Sequence, residues 1–170
     1  IDRAGKPVIA RVQGAAYGGA LGLICAADMA VAADDARFCL SEVRLGILPA
    51  VIAPYVVRAL GARQARRYFM TAEVIDAVRA GQLGLVHEVV SAAELDTTVE
   101  KLVTALLDGA PAAQLRAREL VHRADDSAVS DGLIEYTANL IAELRTGAEG
   151  QEGLGAFLEK RPPHWKPNRN

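Results

Sequence analysis

A glycine-rich segment, residues 14–22, constrains the fold more than any other feature of this chain. It reads Gly-Ala-Ala-Tyr-Gly-Gly-Ala-Leu-Gly and separates an apolar strand predicted for residues 7–13 from a short, apolar, buried helix predicted for residues 20–27. Glycine permits positive φ angles and close approach to the backbone. Amides at the start of a helix can bind an anion or an oxygen that becomes negative during a reaction. From these residues alone, a role limited to tight helix packing stays equally open.

The spacing of these glycines excludes several familiar nucleotide and nucleophile sites. The segment is not G-x-G-x-x-G, and no Gly-Lys-Ser or Gly-Lys-Thr follows it, so neither a dinucleotide fingerprint nor a P-loop is indicated. The chain has no Gly-x-Ser-x-Gly sequence, which argues against a nucleophile elbow.

The second motif is a carboxyl group in an otherwise apolar stretch. Residues 38–49 read Phe-Cys-Leu-Ser-Glu-Val-Arg-Leu-Gly-Ile-Leu-Pro, and Glu42 is predicted to end the strand at residues 36–40. A partly desolvated carboxyl at that place is suited to acid–base chemistry. The alternative is an ion pair with Arg44, which would share a face with Glu42 on a strand. Taken alone, the local pattern favours the ion pair.

The chain divides into a mixed half and a helical half. We predict an α/β region at residues 1–90, with a further strand at 29–33 and a helical pair at 53–70 that breaks at Gly61. From residue 91 to residue 170 the pattern is helical. The remaining elements are predicted at residues 75–83 (helix), 85–90 (strand), 93–107, 112–123, 130–144 and 149–160 (helices).

Composition limits the partners. The chain has 170 residues, 19 basic and 21 acidic, for a net charge of −2, so we expect no nucleic-acid partner and no membrane association. Cys25 and Cys39 are predicted to be buried structural thiols without a metal, in a cytoplasmic setting. His87, His122 and His164 show no Ser-His-Asp arrangement, and structural or solvated roles are expected for them.

Several ordered motifs together resemble the crotonase (enoyl-CoA hydratase/isomerase) superfamily, over nearly the whole chain. The matching segments are residues 6–10, 12–19, 27–32, 36–38, Glu42, 45–49, 80–86 and 149–161. The resemblance implies an α/β fold, part of a ββα spiral followed by a C-terminal helical trimerisation region. It also implies that the chain corresponds to the C-terminal portion of such a protein. The sequence of residues 36–46, 54–57 and 64–68 is most similar to that of bacterial methylglutaconyl-CoA hydratase-like members.

The resemblance also assigns candidate site residues. The Gly19 amide, beside Gly18, matches the family's second oxyanion-hole donor, and Glu42 matches the second of two catalytic glutamates. Gly22 stands where the first glutamate is found, which departs from the two-glutamate pattern and places the standard mechanism in doubt, although some of the similar subgroup shares this feature.

Near the end of the chain, Phe157 and Lys160 match positions that meet the adenine nucleotide of coenzyme A. Because they are three residues apart, we expect them on one helical face. Packing of Phe157 and solvation of Lys160 is the alternative.

The expected reaction is hydration of an α,β-unsaturated acyl-CoA through a stabilised thioester enolate. An enoyl-CoA double-bond isomerase and a non-catalytic acyl-CoA-binding or assembly fragment are the alternatives. No cofactor is implied, because coenzyme A is part of the substrate. A homotrimer or homohexamer is expected from the resemblance.

Overall fold

The computed structural model describes residues 1–125 and 127–167. Internal contacts divide the chain into two units, Ile1–Leu102 and Val103–Asn170. The predicted boundary after residue 90 stays a prediction.

The first unit alternates short strands with short helices. Its elements are β1 (Ile9–Val12), β2 (Ala15–Tyr17), α1 (Gly19–Cys25), β3 (Met29–Ala33), β4 (Arg37–Cys39), a 3₁₀ helix (Glu42–Leu45), α2 (Ala53–Thr71), β5 (Ile75–Asp76), α3 (Ala77–Gln82) and β6 (Glu88–Val90); α4 (Leu95–Asp108) then crosses into the second unit.

Two small sheets organise these strands within the described residues. One has the order β1-β3-β6 with parallel neighbours. The other has the order β2-β4-β5, in which β2 and β4 are parallel and β5 is antiparallel to β4. Four of the five residues of β3 are buried, as expected for a parallel strand covered on both faces. The parallel pairing of β2 with β4 brings the glycine-rich segment next to the chain that leads into Glu42.

The core of the first unit lies between these sheets and helices α1 and α2. Its largest side chains with almost no exposed surface include Phe38, Leu21, Leu40 and Ile75. The predicted break at Gly61 is confirmed, because this residue has φ 73° and ψ 151° inside α2. Only a residue without a side chain adopts that backbone conformation readily.

Several local predictions were wrong in the first unit. The glycine-rich turn contains a strand, β2, which is too short to show an alternating pattern. The helix α1 is not buried on all sides, since Leu23 is 59% exposed. Cys39 is buried as predicted, but Cys25 is only half-buried.

The second unit is helical, as predicted. Its helices are α5 (Pro111–Asp125), α6 (Asp131–Thr146) and α7 (Ala148–Leu158). The Ser130 hydroxyl accepts a hydrogen bond from the Leu133 N–H and caps α6, a stabilising arrangement at a helix start. Among the described residues, none of the helices is both long enough and apolar enough to cross a membrane.

Candidate active site

Gly18 joins the two motifs found in the sequence. It precedes α1 with φ 53° and ψ −124°, a conformation that L side chains rarely adopt. Its N–H donates to the Cys39 carbonyl at 2.9 Å, extending the contact between β2 and β4. This bond holds the start of α1 against the segment that carries Glu42.

The Gly19 amide is an unused donor. Gly19 is the first residue of α1, and its N–H meets no acceptor among the described residues. A Cβ atom built on Gly19 would have no heavy atom within 4 Å, so the space beside this residue is open. An amide placed in this way is available to an oxygen from outside the chain.

Glu42 brings a carboxyl group to the same place. It begins the 3₁₀ helix rather than ending a strand, because β4 stops at Cys39. Its Oε1 lies 3.3 Å from the point that a Cβ on Gly18 would occupy. Its Oε2 is buried and has no hydrogen-bond partner within the described part of the chain. A buried oxygen without a partner costs free energy, so such a group calls for an explanation beyond stability.

The alternative ion pair between Glu42 and Arg44 does not form. The Arg44 guanidinium instead donates to the Ala72 carbonyl at 2.7 Å, which the Cys39 thiol also approaches at 3.3 Å. Burial raises the pKa of the Cys39 thiol; Arg44 opposes this rise and Glu42 adds to it. Neither cysteine resembles an activated nucleophile, since burial also raises the pKa of Cys25 to about 12.

Position 22 is closed by a neighbouring side chain. A Cβ on Gly22 would lie 2.1 Å from the Ile52 Cγ2 atom and 2.5 Å from its Cβ. Contacts as short as these do not occur, so no larger residue fits at position 22 while Ile52 keeps its place. The site therefore has an apolar group where the resemblance would place a second carboxyl.

The residues proposed for coenzyme A lie in the second unit. Phe157 is 79% exposed, and Lys160 is exposed as well. The expectation of one shared helical face was wrong, because α7 ends at Leu158 and Lys160 adopts φ 54° beyond it. The Lys160 N–H still donates to the Phe157 carbonyl at 3.2 Å, which keeps the two residues close.

The described residues contain no group of three His, Cys, Asp or Glu side chains able to hold a metal ion. The His87 Nδ1 accepts a hydrogen bond from the Ala30 N–H at 3.0 Å, which is a structural role. Sequence reasoning missed Ile52 and Ala72, which meet the site segments only through contacts across long stretches of chain. The only local signal for Ile52 was the pair of adjacent apolar residues, Val51 and Ile52, just before α2.

Comparison with known proteins decides the family. Residues 1–168 match the family model described as "Enoyl-CoA hydratase/isomerase". The chain belongs to the enoyl-CoA hydratase/isomerase family. This confirms the resemblance at the level of the superfamily, and the solved structures confirm the crotonase-type α/β fold.

Curated and structural relatives agree with this membership. A "Probable enoyl-CoA hydratase echA8" of Mycobacterium tuberculosis is 36% identical over 160 residues, covering 94% of this chain and 62% of that protein. A crystal structure of a putative enoyl-CoA hydratase/isomerase (crotonase) from Legionella pneumophila has a TM-score of 0.92 at 48% identity, covering 97% of this chain and 64% of that one. An enoyl-CoA hydratase structure from Shewanella pealeana has a TM-score of 0.92 at 46% identity, covering 96% and 61%. This family member thus spans about three-fifths of the length of its relatives.

Proposed function

We propose that the protein carrying this chain adds water to the double bond of an α,β-unsaturated acyl-CoA. The observation that supports it most is the Glu42 side chain: its Oε1 lies beside Gly18, and its Oε2 is buried without a hydrogen-bond partner among the described residues. Gly19 follows Gly18 in the chain, and its N–H meets no acceptor within the described part of the chain. An acid–base group and an oxyanion donor on adjoining segments are the parts that thioester chemistry needs.

The proposed reaction follows from where charge develops. The Glu42 carboxylate takes a proton from water as the water oxygen bonds to carbon 3 of the acyl group. The electrons of the double bond move toward the thioester carbonyl, whose oxygen becomes negative and accepts a hydrogen bond from the Gly19 N–H. Loss of one such donor typically costs ~3 kcal/mol of transition-state stabilisation.

Glu42 then completes the addition. It returns the proton to carbon 2 while the enolate electrons re-form the thioester carbonyl, so that water has been added across the double bond and the carboxylate is restored. With Ile52 closing position 22, one carboxyl carries both proton transfers in this scheme.

A double-bond isomerase is the second candidate, and the Gly22–Ile52 contact is the observation that favours it. Isomerisation moves a single proton between carbons 2 and 4, and one carboxyl suffices for it. A binding or assembly role without catalysis is the third, since the chain spans 62% of the first curated relative's length.

The acyl group, the oligomeric state, the cellular location and the contacts with coenzyme A are part of the proposed function. We propose methylglutaconyl as the acyl group, with a role in branched-chain amino-acid or fatty-acid degradation. We also propose a homotrimer or homohexamer in the cytoplasm, in which Phe157 and Lys160 meet the adenine nucleotide of coenzyme A. The exposed aromatic ring and ammonium group are chemically suited to adenine and phosphate.

A turnover assay separates these functions. Crotonyl-CoA, 3-methylglutaconyl-CoA and a 3-enoyl-CoA are offered to this chain alone and to the full protein that carries it. Loss of the conjugated double bond with formation of a 3-hydroxyacyl product supports hydration, whereas conversion of the 3-enoyl substrate alone supports isomerisation. Binding without turnover in the full protein contradicts both enzymatic assignments. Gly19→Val, whose side chain enters open space, should keep the fold and abolish turnover; an active variant rules out the oxyanion role.

A further inference from the structure

Ile52 stands at a junction of the three elements that form the candidate site. It immediately precedes α2, and α2 contacts both α1 and the 3₁₀ helix that begins with Glu42. The Ile52 side chain lies directly over Gly22, with its Cγ2 atom 2.1 Å from the point a Cβ there would occupy. It is only half-buried, so part of its surface is free of the protein core.

The position of Ile52 relative to the Gly19 amide follows from helix geometry. Gly19 and Gly22 are three residues apart on α1, and such positions are neighbours on one face, with about 5–6 Å between the sites of their Cβ atoms. A thioester oxygen bound by the Gly19 N–H would therefore hold the first carbons of the acyl group within reach of Ile52. Carbon 2 is bonded to the thioester carbonyl carbon, so a branch there is the acyl branch nearest to that oxygen.

We propose that Ile52 is a specificity-determining residue that limits the width of the acyl site at carbon 2. The inference rests on the proposed function, since it assumes an acyl thioester at Gly19 and Glu42. The site then prefers acyl groups that are straight at carbon 2, including those branched farther along, over acyl groups with a methyl branch there. Such a preference arises because hydrocarbon already fills the space over Gly22.

The alternative is a purely structural role, in which Ile52 only packs the start of α2 against the core as a partly buried side chain. The two roles differ in what truncation does. Removing a packing residue lowers stability and affects all substrates alike. Removing a pocket wall changes the relative rates of narrow and wide substrates, and one methyl group in an apolar pocket is worth about 10-fold or more in relative kcat/KM.

The experiment uses the full protein with Ile52→Ala and the milder Ile52→Val, which keeps most of the packing. The control is Val51→Ala, because Val51 adjoins Ile52 in sequence but is 86% exposed. The quantity measured is the ratio of kcat/KM for 2-methylcrotonyl-CoA to that for crotonyl-CoA. We expect this ratio to rise about 10-fold in Ile52→Ala and less in Ile52→Val, and to stay at the wild-type value in Val51→Ala.

A second readout does not depend on turnover. The saturated thioesters 2-methylbutyryl-CoA and butyryl-CoA are titrated against the same variants, and the ratio of their affinities should shift in the same direction. If both ratios stay unchanged in an Ile52→Ala protein that still folds and binds acyl-CoA, Ile52 does not set the width and only this inference is overturned. If the affinity ratio shifts but no variant turns over substrate, Ile52 does limit the width of the acyl site, and the proposed reaction is overturned. Absence of both binding and turnover overturns both.

Discussion

The two units of this chain are stabilised in different ways. The first unit has an apolar core in which side chains such as Phe38 and Leu21 have no exposed surface. In the described part of the second unit, the buried hydrophobic residues are Leu140 and Ala156, while Phe157 is 79% exposed. The unit with the candidate site thus has an extensive buried core, whereas the described part of the helical unit buries few hydrophobic side chains completely.

Polar contacts also connect the helices of the second unit. The Glu149 carboxylate accepts hydrogen bonds from the Ala112 and Ala113 N–H groups at 3.1 Å and caps the start of α5. The Glu152 carboxylate accepts two bonds from the Arg161 guanidinium at 2.7 and 2.9 Å. A rigid apolar platform is suited to holding reacting groups in place, whereas exposed apolar helix faces are typical of surfaces that meet a partner.

Two phenylalanines give the largest test of this contrast. Phe38→Ala should lower the free energy of unfolding by about 3–5 kcal/mol, because it empties a fully buried site. The matched change Phe157→Ala should alter the free energy of unfolding by less than about 0.5 kcal/mol in dilute solution, because that ring is exposed. Urea denaturation of both variants measures the difference. A similar loss from both changes would show that Phe157 is buried in the form under study and that the contrast is wrong.

The close contact between Gly22 and Ile52 predicts a smaller change in the free energy of unfolding, within the first unit. Gly22→Ala should destabilise by about 1–3 kcal/mol, since the new methyl group overlaps Ile52. The control is Gly132→Ala in α6, where a Cβ meets nothing within 4 Å and alanine favours the helix by up to about 1 kcal/mol. The combined change Gly22→Ala with Ile52→Ala should recover part of the loss. Equal stability of the Gly22→Ala and Gly132→Ala proteins would contradict the contact.

Acid should affect the second unit first through Glu152. Arg161 lowers the pKa of this carboxyl from 4.5 to about 2, and the His164 N–H adds to the effect. Because the folded pKa lies below the unfolded one, the stabilisation is complete above pH 4.5 and is lost as the pH falls toward about 2.

Trp165, the only tryptophan of the chain, reports this change because its ring packs close to Gly153 on α7. Its fluorescence should shift between pH 4.5 and 2 in the wild type. In Glu152→Gln that pH-dependent step should be absent. A step of the same size and midpoint in both proteins would show that another group controls the environment of Trp165.

The smallest expected effect concerns Lys160. Lys160→Ala should weaken binding of an acyl-CoA at low salt and have less effect at high salt, because ions already screen the wild-type contact. The change in kcat should be small, since the proposed contact is with the nucleotide end rather than with the reacting carbons. Titration of acyl-CoA and of its 3′-dephospho analogue at two ionic strengths measures both. Unchanged affinity for the two ligands at low salt would show that Lys160 does not contact coenzyme A.

Local signals predicted much of the fold, and long-range contacts explain what they missed. Gly61 broke its helix as predicted because its positive φ angle is a property of one residue. The strand β2 was missed since a three-residue strand between glycines has no visible period. The Glu42–Arg44 ion pair was the better local prediction, yet Arg44 bonds to Ala72, 28 residues away. The closure of Gly22 by Ile52 likewise depends on the packing of α2 against α1, which neither segment reveals alone.

The central claim is that Glu42 is kept for chemistry rather than for stability, and Glu42→Gln tests it most directly. The change retains the size of the side chain and removes its proton transfer, with Glu100→Gln on the exposed side of α4 as the matched control. We expect turnover of the enoyl-CoA to fall at least ~100-fold in the full protein. The melting temperature should stay equal or rise, because a carboxyl oxygen that is buried without a partner among the described residues is replaced by a neutral amide. Near-normal turnover, or a clear loss of stability with turnover preserved in the folded fraction, would contradict the account.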